Sequence, residues 1–152
     1  MNKNFHLLPA LILLLILCAC QNAPPTETVL PEIPLVTYER VIVSADIHER
    51  WVIYEDGTVL KDDGVKTVLP VEAVAELMVR IEAAGFFEME DVYLPEGPQP
   101  DRSLYALSVR SDGGFKTVVT MEGAEPESLQ SLIEYLDAWV QQASVAAVVV
   151  RP

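Results

Sequence analysis

The sequence predicts an α+β domain, an antiparallel sheet of four or more strands with two helices packed on one face. Two observations predict this class. First, two pairs of short strand-like segments each flank a turn that contains an Asp-Gly pair. Second, each of these hairpins is followed by a helical pattern that opens with a proline. The order hairpin–helix, hairpin–helix indicates two similar units within one domain, residues 38–142.

The first unit begins with a stretch of alternating side chains. Residues 39–47 alternate in the period of a half-buried strand, which predicts one continuous strand there. Residues 51–54 and 58–61 flank Asp56-Gly57, a pair that favours the positive φ of a tight hairpin turn. We expect a further short strand at 65–68.

A helix is predicted at residues 70–84. Pro70 suits its first turn and Gly85 its end, and apolar residues recur at helical spacing at Val71, Val74, Leu77, Met78 and Ile81. The polar segment that follows, Glu88 to Asp101, contains three prolines and a glycine and is predicted to be a loop.

The second unit repeats this order. Residues 103–110 and 115–121 are strand-like and are joined by Ser-Asp-Gly-Gly at 111–114. A helix at 126–142 opens with Pro126, and its apolar stripe consists of Leu129, Leu132, Ile133, Leu136, Trp139 and Val140. Residues 143–152 form an apolar tail, for which an edge strand and a frayed end are both compatible with the pattern.

The N-terminus is predicted to be a lipoprotein signal peptide, residues 1–19. A short basic region precedes about eleven apolar residues, too few for a membrane span of roughly 20. The next residues, Leu17-Cys18-Ala19-Cys20, resemble the bacterial lipobox, with an aliphatic residue three before the cysteine and a small one just before it. The resemblance implies cleavage after Ala19 and acylation of Cys20; a plain secretory signal is the alternative.

Residues 20–37 are predicted to be the lipidated cysteine and a proline-rich linker. Prolines at 24, 25, 31 and 34 prevent helix formation and favour an extended spacer, roughly 45 Å at about 3.1 Å per residue. The anchor and the spacer together predict a protein held on the extracytoplasmic side of a bacterial cell envelope. In a host with two membranes, Gln21 after the cysteine resembles the pattern for the outer one.

Composition excludes several classes of function. Ten Lys and Arg against 23 Asp and Glu give a formal net charge of −13, which disfavours nucleic acid as a partner. Both cysteines belong to the leader region, so no disulfide framework or thiolate metal cluster is expected in the domain. His48 is the domain's single histidine and is interpreted as a solvated surface residue. We therefore expect no catalytic, cofactor-binding or metal-binding residues, and no enzyme.

Recognition of another molecule is the remaining class of function. Most aromatic residues of the domain fall at core positions, but Tyr93 and Leu94 lie in the long polar loop. They are candidate partner contacts, because aromatic and aliphatic anchors carry much of the energy of an interface. The alternative is that Tyr93 folds this loop onto its own domain.

Part of the domain resembles a known family. The resemblance covers residues 70–140, about half of the chain, and rests on the helix end Ala-Gly-Phe-Phe, Asp101, Tyr105, Asp112-Gly113-Gly114 and the segment from Pro126 to Leu136. These features resemble the emfourin family, bacterial inhibitors of thermolysin-like metalloproteases, and uncharacterised lipoprotein domains of similar layout. Residues 43–51 depart from the family, whose members have a strand interrupted by paired glycines there. No binding residue is therefore carried over.

Two functions remain open from the sequence. The first is a lipid-anchored, non-catalytic domain that recognises an envelope or secreted protein, in its specific form a metalloprotease. The second is a module that binds a small ligand or a cell-wall component. An apolar pocket between sheet and helices distinguishes the second from the first.

Overall fold

The computed structural model describes residues 33–97 and 99–149, in which seven strands and two long helices form. The strands are β1 (Val36–Ile42), β2 (Ile47–Ile53), β3 (Thr58–Lys61), β4 (Lys66–Val68), β5 (Val92–Tyr93), β6 (Ser103–Ser111) and β7 (Gly114–Met121). The helices are α1 (Val71–Ala83) and α2 (Glu127–Val149), with short 3-10 turns at Val43–Ala45 and Phe86–Glu88. The predicted α+β class is confirmed.

All seven strands belong to one sheet, in the order β4-β3-β2-β1-β6-β7-β5. Every neighbouring pair is antiparallel except β5 and β7, which are parallel. The prediction of a purely antiparallel sheet is therefore wrong at this edge. The reason is the connection: β5 enters after α1 and leaves through the loop 94–102, so no hairpin imposes an antiparallel direction on it.

The central strand β1 joins the two predicted units. All seven of its residues pair with β2 on one side and with β6 on the other. Tyr38 lies opposite both Trp51 and Leu107, and all three side chains are buried on the same face of the sheet. Val118 of β7 continues this row of buried side chains. The face is therefore a continuous apolar surface across four strands.

Both helices pack on this face. The buried residues of α1 are Val74, Leu77 and Ile81, and those of α2 include the whole predicted stripe from Leu129 to Val140. They form a single core with the strands, to which Phe86 adds a fully buried ring. The helical spacing read from the sequence thus identified the buried faces of both helices, except that Val71, predicted as part of the first stripe, is 54% exposed at the start of α1.

Two predicted segments differ from the structure. The strand expected at 39–47 is interrupted, because β1 ends at Ile42 and the chain turns back through Val43–Ala45. Asp46 closes this turn with a left-handed φ of 52°, a conformation that the short polar side chain of aspartate tolerates. The loop expected at 88–101 contains the edge strand β5, which is only two residues long.

The domain is longer at both ends than the predicted 38–142. Leu35 is buried, and its backbone hydrogen-bonds to Ile53 and to Arg110 at 2.8 Å each. At the other end α2 continues to Val149, so the predicted apolar tail 143–152 begins inside a helix. Ala143 is buried, and its carbonyl accepts a hydrogen bond from Thr67 Oγ1 at 3.2 Å. The predicted leader and most of the linker, residues 1–32, lie outside the described residues.

The turn between β2 and β3 supplies a test of the local fold. Gly57 has a φ of +88°, and a Cβ there would overlap the carbonyl oxygen of Leu69, whose amide donates to the Gly57 carbonyl. Gly64 has a similar φ of +85° but open space around it. We expect Gly64→Ala to cost about 1–2 kcal/mol from backbone strain alone. Gly57→Ala adds a steric clash and should cost about 3–5 kcal/mol.

Urea unfolding followed by tryptophan fluorescence measures both variants. Gly64→Ala is the matched control, because it makes the same chemical change at nearly the same φ. Equal losses of stability in the two variants would show that the close approach of Leu69 to Gly57 adds nothing to the cost of Gly57→Ala.

Candidate recognition surface

The face of the sheet opposite the helices carries an apolar patch. Because side chains alternate along a strand, residues next to the buried row point to this outer face. The pairing places Val92, Val119 and Ala106 in one cross-strand row, and Met121, Leu104 and Val41 in the next. We call these six side chains the outer-face patch. It spans β5, β7, β6 and β1.

The outer-face patch is uncovered within the described residues. The exposed fraction of Val92 is 52%, and the other five side chains are half-buried by their neighbours in the sheet. The turn after β1, at the same end of the sheet, adds an exposed aliphatic side chain, Val43 at 55%, whereas Ile47, at 40%, shares the helix-facing side of β2 with Trp51. Apolar surface that is contiguous across several strands is typical of an interaction site.

Charged residues flank this patch on the central strands. Glu39, next to Ala106 in its row, accepts Arg50 Nε at 3.1 Å and lies 3.8 Å from His48 Nε2. The His48 side chain is 60% exposed, as expected for a solvated histidine. Ion pairs this exposed contribute little to stability, so these side chains are available to rearrange around a partner.

The two predicted contact residues have different environments. The Tyr93 ring packs against the core, and its hydroxyl accepts a hydrogen bond from the Glu90 amide at 3.0 Å. The ring contact holds this loop on its own domain. Leu94, the next residue, is 54% exposed beside the end of β5. Of the two, Leu94 is the side chain that a partner can reach.

A polar network lies on the other side of the sheet, where α2 crosses β1. Tyr38 Oη donates to Asp137 Oδ1 of α2 at 2.8 Å, and Arg40 Nη1 donates to the same oxygen at 3.0 Å. Arg40 also bonds to Glu49 at 2.5 Å, and Lys61 Nζ completes the network by donating to Glu49 at 2.9 Å. The network thus connects three strands to one position on the helix.

The surroundings of these groups shift their protonation. Burial and the neighbouring Asp137 carboxylate raise the pKa of the Tyr38 hydroxyl, so it stays protonated and acts as a donor. Burial by itself would raise the pKa of Glu49, but hydrogen bonds from Lys61 and Arg40 outweigh it and lower that pKa. The bond to Glu49 likewise raises the pKa of Lys61. Each shift favours the protonation state in which these groups bond to one another, which indicates a structural role. We call this network of Tyr38, Arg40, Glu49, Lys61 and Asp137 the clamp.

Aromatic stacking surrounds the clamp. The Tyr38 and Trp51 rings stack with centroids 5.6 Å apart, and the Arg40 and Lys61 cations lie 5.7 and 5.4 Å from the Trp51 centroid. Sequence reasoning missed this cluster. The available signal was the alternation of β1 itself, which places Arg40 on the same face as the buried Tyr38.

Small grooves lie between the two helices on their solvent side. One groove of about 270 Å³ is bordered by Arg80 of α1, by Ala84 directly after that helix, and by Leu132 of α2. Another of about 290 Å³ lies further along, and Tyr135 borders both. The Arg80 guanidinium sits 5.2 Å from the Tyr135 ring centroid, at the junction of the two grooves. Neither is the pocket between sheet and helices that a small-ligand module calls for.

Two further features concern residues 33–97 and 99–149 only. Within them, no group of three or more His, Cys, Asp or Glu side chains is arranged to hold a metal ion. Within the same ranges, no helix is both long and apolar enough to cross a membrane.

Comparison with known proteins adds no relative. No protein-family model matches the chain, and a search of curated proteins finds no match. The geometry therefore defines the class to which the domain belongs: an α+β domain whose sheet has one face covered by two helices and one face uncovered.

The clamp predicts a pH-dependent contribution to stability. Glu49 has a lowered pKa, so its contribution is present above the ordinary carboxyl pKa and is lost as the pH falls through the folded-state value. We expect Glu49→Gln to reduce the free energy of unfolding by about 1–3 kcal/mol at pH 7. The difference from the native chain should shrink below about pH 4.

Urea unfolding at pH 7 and pH 3 measures both effects. Glu39→Gln is the matched control, since it removes the same charge from the exposed pair with Arg50 and should cost less than about 1 kcal/mol. A Glu49→Gln deficit that is equal at both pH values would contradict the ion-pair origin of the clamp.

Proposed function

We propose that the chain is a lipid-anchored, non-catalytic recognition domain of a bacterial cell envelope. Acylation of Cys20 tethers it to the membrane, and residues 21–34 serve as the spacer. The outer-face patch binds a protein partner, and Leu94 extends the contact at the sheet edge. The observation that carries this proposal is the pair of uncovered apolar rows on the outer face, which the helices do not use.

The chemistry of the anchor supports a stable membrane attachment. Each acyl methylene buried in the bilayer contributes about 0.8 kcal/mol, so several chains on one cysteine hold a protein firmly. The leader resembles a lipobox at Leu17 to Cys20, which is the basis for assigning the modification to this thiol.

The packing of the core favours a protein partner over a small ligand. Tyr38, Leu77, Phe86 and Leu136 are fully buried where sheet and helices meet, and they belong to one core cluster. The grooves described above lie instead on the solvent side of the helices. An uncovered apolar sheet face is a surface that a protein partner can cover.

In its most specific form the partner is a metalloprotease. This form rests on the resemblance of residues 70–140 to the emfourin inhibitors. The outer-face patch includes β6 and β7, both within the resembling region, whereas Val41 lies outside it.

The anchor is tested by intact-mass spectrometry of the protein purified from its native membrane. We expect a mature chain that begins at an acylated Cys20, because Ala19 is the small residue before the cleavage site. Cys20→Ser should abolish the acyl mass, and the control Cys18→Ser should retain it. An unmodified Cys20 in native material would overturn the anchor and the envelope location with it.

Recognition is tested by a photo-crosslinking amino acid placed at position 104 of the full chain in its native envelope. We expect a discrete adduct with another protein, because Leu104 is central in the outer-face patch. The control replaces Val79, an apolar residue of α1 that is 62% exposed and lies on the helical side. Adducts from neither position, or equally from both, would contradict recognition through the outer face.

The inhibitory form of the same prediction is tested with a thermolysin-like protease. Titration with the mature chain should reduce peptide hydrolysis, and Leu104→Lys should weaken that inhibition more than Val79→Lys. Unchanged hydrolysis at a large molar excess would reject the metalloprotease as partner. The crosslinking result would then decide recognition independently.

A further inference from the structure

We infer that the partner bound by the outer face is a basic one: a protein segment that carries lysine or arginine beside its aliphatic side chains. This inference rests on the proposed function, which supplies the bound protein, and it adds the chemistry of that protein. The observations that carry it are the charges around the outer-face patch and their pairing.

Three loops border the patch at one end of the sheet. They are the turn 43–46 after β1, the loop 94–102 after β5 and the turn 122–126 after β7. The register places them together, since Ile42 pairs with Ser103 and Leu104 with Met121. Together the loops carry five carboxylates and one arginine, a net formal charge of −4.

Within the described residues, none of these five carboxylates forms an ion pair with a lysine or arginine. Glu125 accepts hydrogen bonds from Thr120 Oγ1 at 3.4 Å and from the Ala124 amide at 3.1 Å, toward the helix-facing side of the sheet. The loop arginine, Arg102, donates to the backbone carbonyl of Glu122 at 2.6 Å, and the Glu122 carboxylate accepts from the Ser103 amide. Asp46, Glu96 and Asp101 are exposed at the same end of the sheet. These carboxylates remain open to a cation from outside the domain.

The arginines of the outer face do not offset this acidic rim. Arg50 is bound to Glu39 at 3.1 Å, and Arg110 is bound to Glu55 at 2.7 Å, toward the other end of the sheet. An acidic rim at one end of an apolar patch is complementary to basic side chains beside the apolar ones of a partner, which accelerates association and excludes acidic competitors.

The same charges disfavour a second copy as the occupant. Each chain has a formal net charge of −13. Docking two outer faces with their acidic ends side by side would bring these ends within one Debye length, about 8–10 Å at physiological salt, where they repel. Apolar burial alone would have to offset that repulsion, whereas a basic partner gains from apolar burial and from electrostatic attraction.

Synthetic peptides provide a direct test on the mature chain, residues 20–152, in nonionic detergent micelles. The probe is a fluorescent decapeptide of alternating lysine and valine, measured by anisotropy against empty micelles. One comparison peptide replaces lysine by glutamate, and another replaces valine by serine. We expect the lysine–valine peptide to bind at least about tenfold more tightly than either, since binding needs both the charge and the apolar contact.

Matched variants locate the binding on the molecule. Leu104→Lys should weaken binding of the lysine–valine peptide about tenfold or more. Met121→Lys provides a second variant in case the first one unfolds. Val79→Lys adds the same positive charge on the helical side and should change binding less than about twofold. Near-UV circular dichroism confirms that each variant is folded.

Several results would overturn the inference. They are an absence of lysine–valine binding, equal binding of the lysine–serine peptide, and equal effects of Leu104→Lys and Val79→Lys. A concentration-dependent dimer that Leu104→Lys abolishes would identify a second copy as the occupant. Binding that strengthens more than about tenfold on deletion of residues 21–32 would identify the chain's own linker.

The crosslinking experiment keeps this inference separate from the proposed function. A protein adduct at position 104 without lysine–valine binding would leave recognition standing and reject the basic partner. Lysine–valine binding without an adduct in the native envelope would support the surface chemistry and contradict the proposed function.

Discussion

Burial of the helix-facing side of β1 is the constraint on which the rest of this structure depends. This strand lies in the centre of the sheet and pairs with β2 of the first unit and with β6 of the second. Val36 and Tyr38 are fully buried beneath the helices, so β1 cannot shift by one residue without exposing both. Its register therefore determines which side chains of β2 and β6 face the core and which face outward.

Within the clamp, the hydrogen bonds of Tyr38 and Arg40 to Asp137 add direction to that burial. Apolar packing is non-directional and would tolerate a small rotation of α2 over the sheet. A charge-assisted hydrogen bond requires a particular distance and angle, so it orients the helix about its axis. Polar groups under the helix thus have a structural role, and the chemistry left for recognition lies on the opposite face.

The two faces of the sheet have different roles. One face supplies stability through a filled core, and the other presents apolar rows bordered by acidic loops. Under the proposed function, the lipid anchor restricts this second face to a thin layer above the membrane. A tether of this kind raises the effective concentration of a partner in the same layer, so a modest intrinsic affinity is enough.

Local features of the sequence determined the elements, and tertiary pairing decided how they are used. The Asp-Gly turn at Gly57 and the helices after Pro70 and Pro126 follow from φ preferences and side-chain period, which act over a few residues. The parallel edge strand β5 and the turn at Asp46 depended on pairing with other strands of the sheet.

The candidate site shows the same division. Leu94 was identifiable as an apolar residue in a polar loop, but the rows formed by Val119 and Leu104 were not. Their alternation indicated only that each strand has two different faces. Which of the faces the helices cover, and which apolar side chains therefore meet solvent side by side, depends on pairing between residues far apart in the chain. No local pattern encodes that pairing, so the tertiary structure alone decided it.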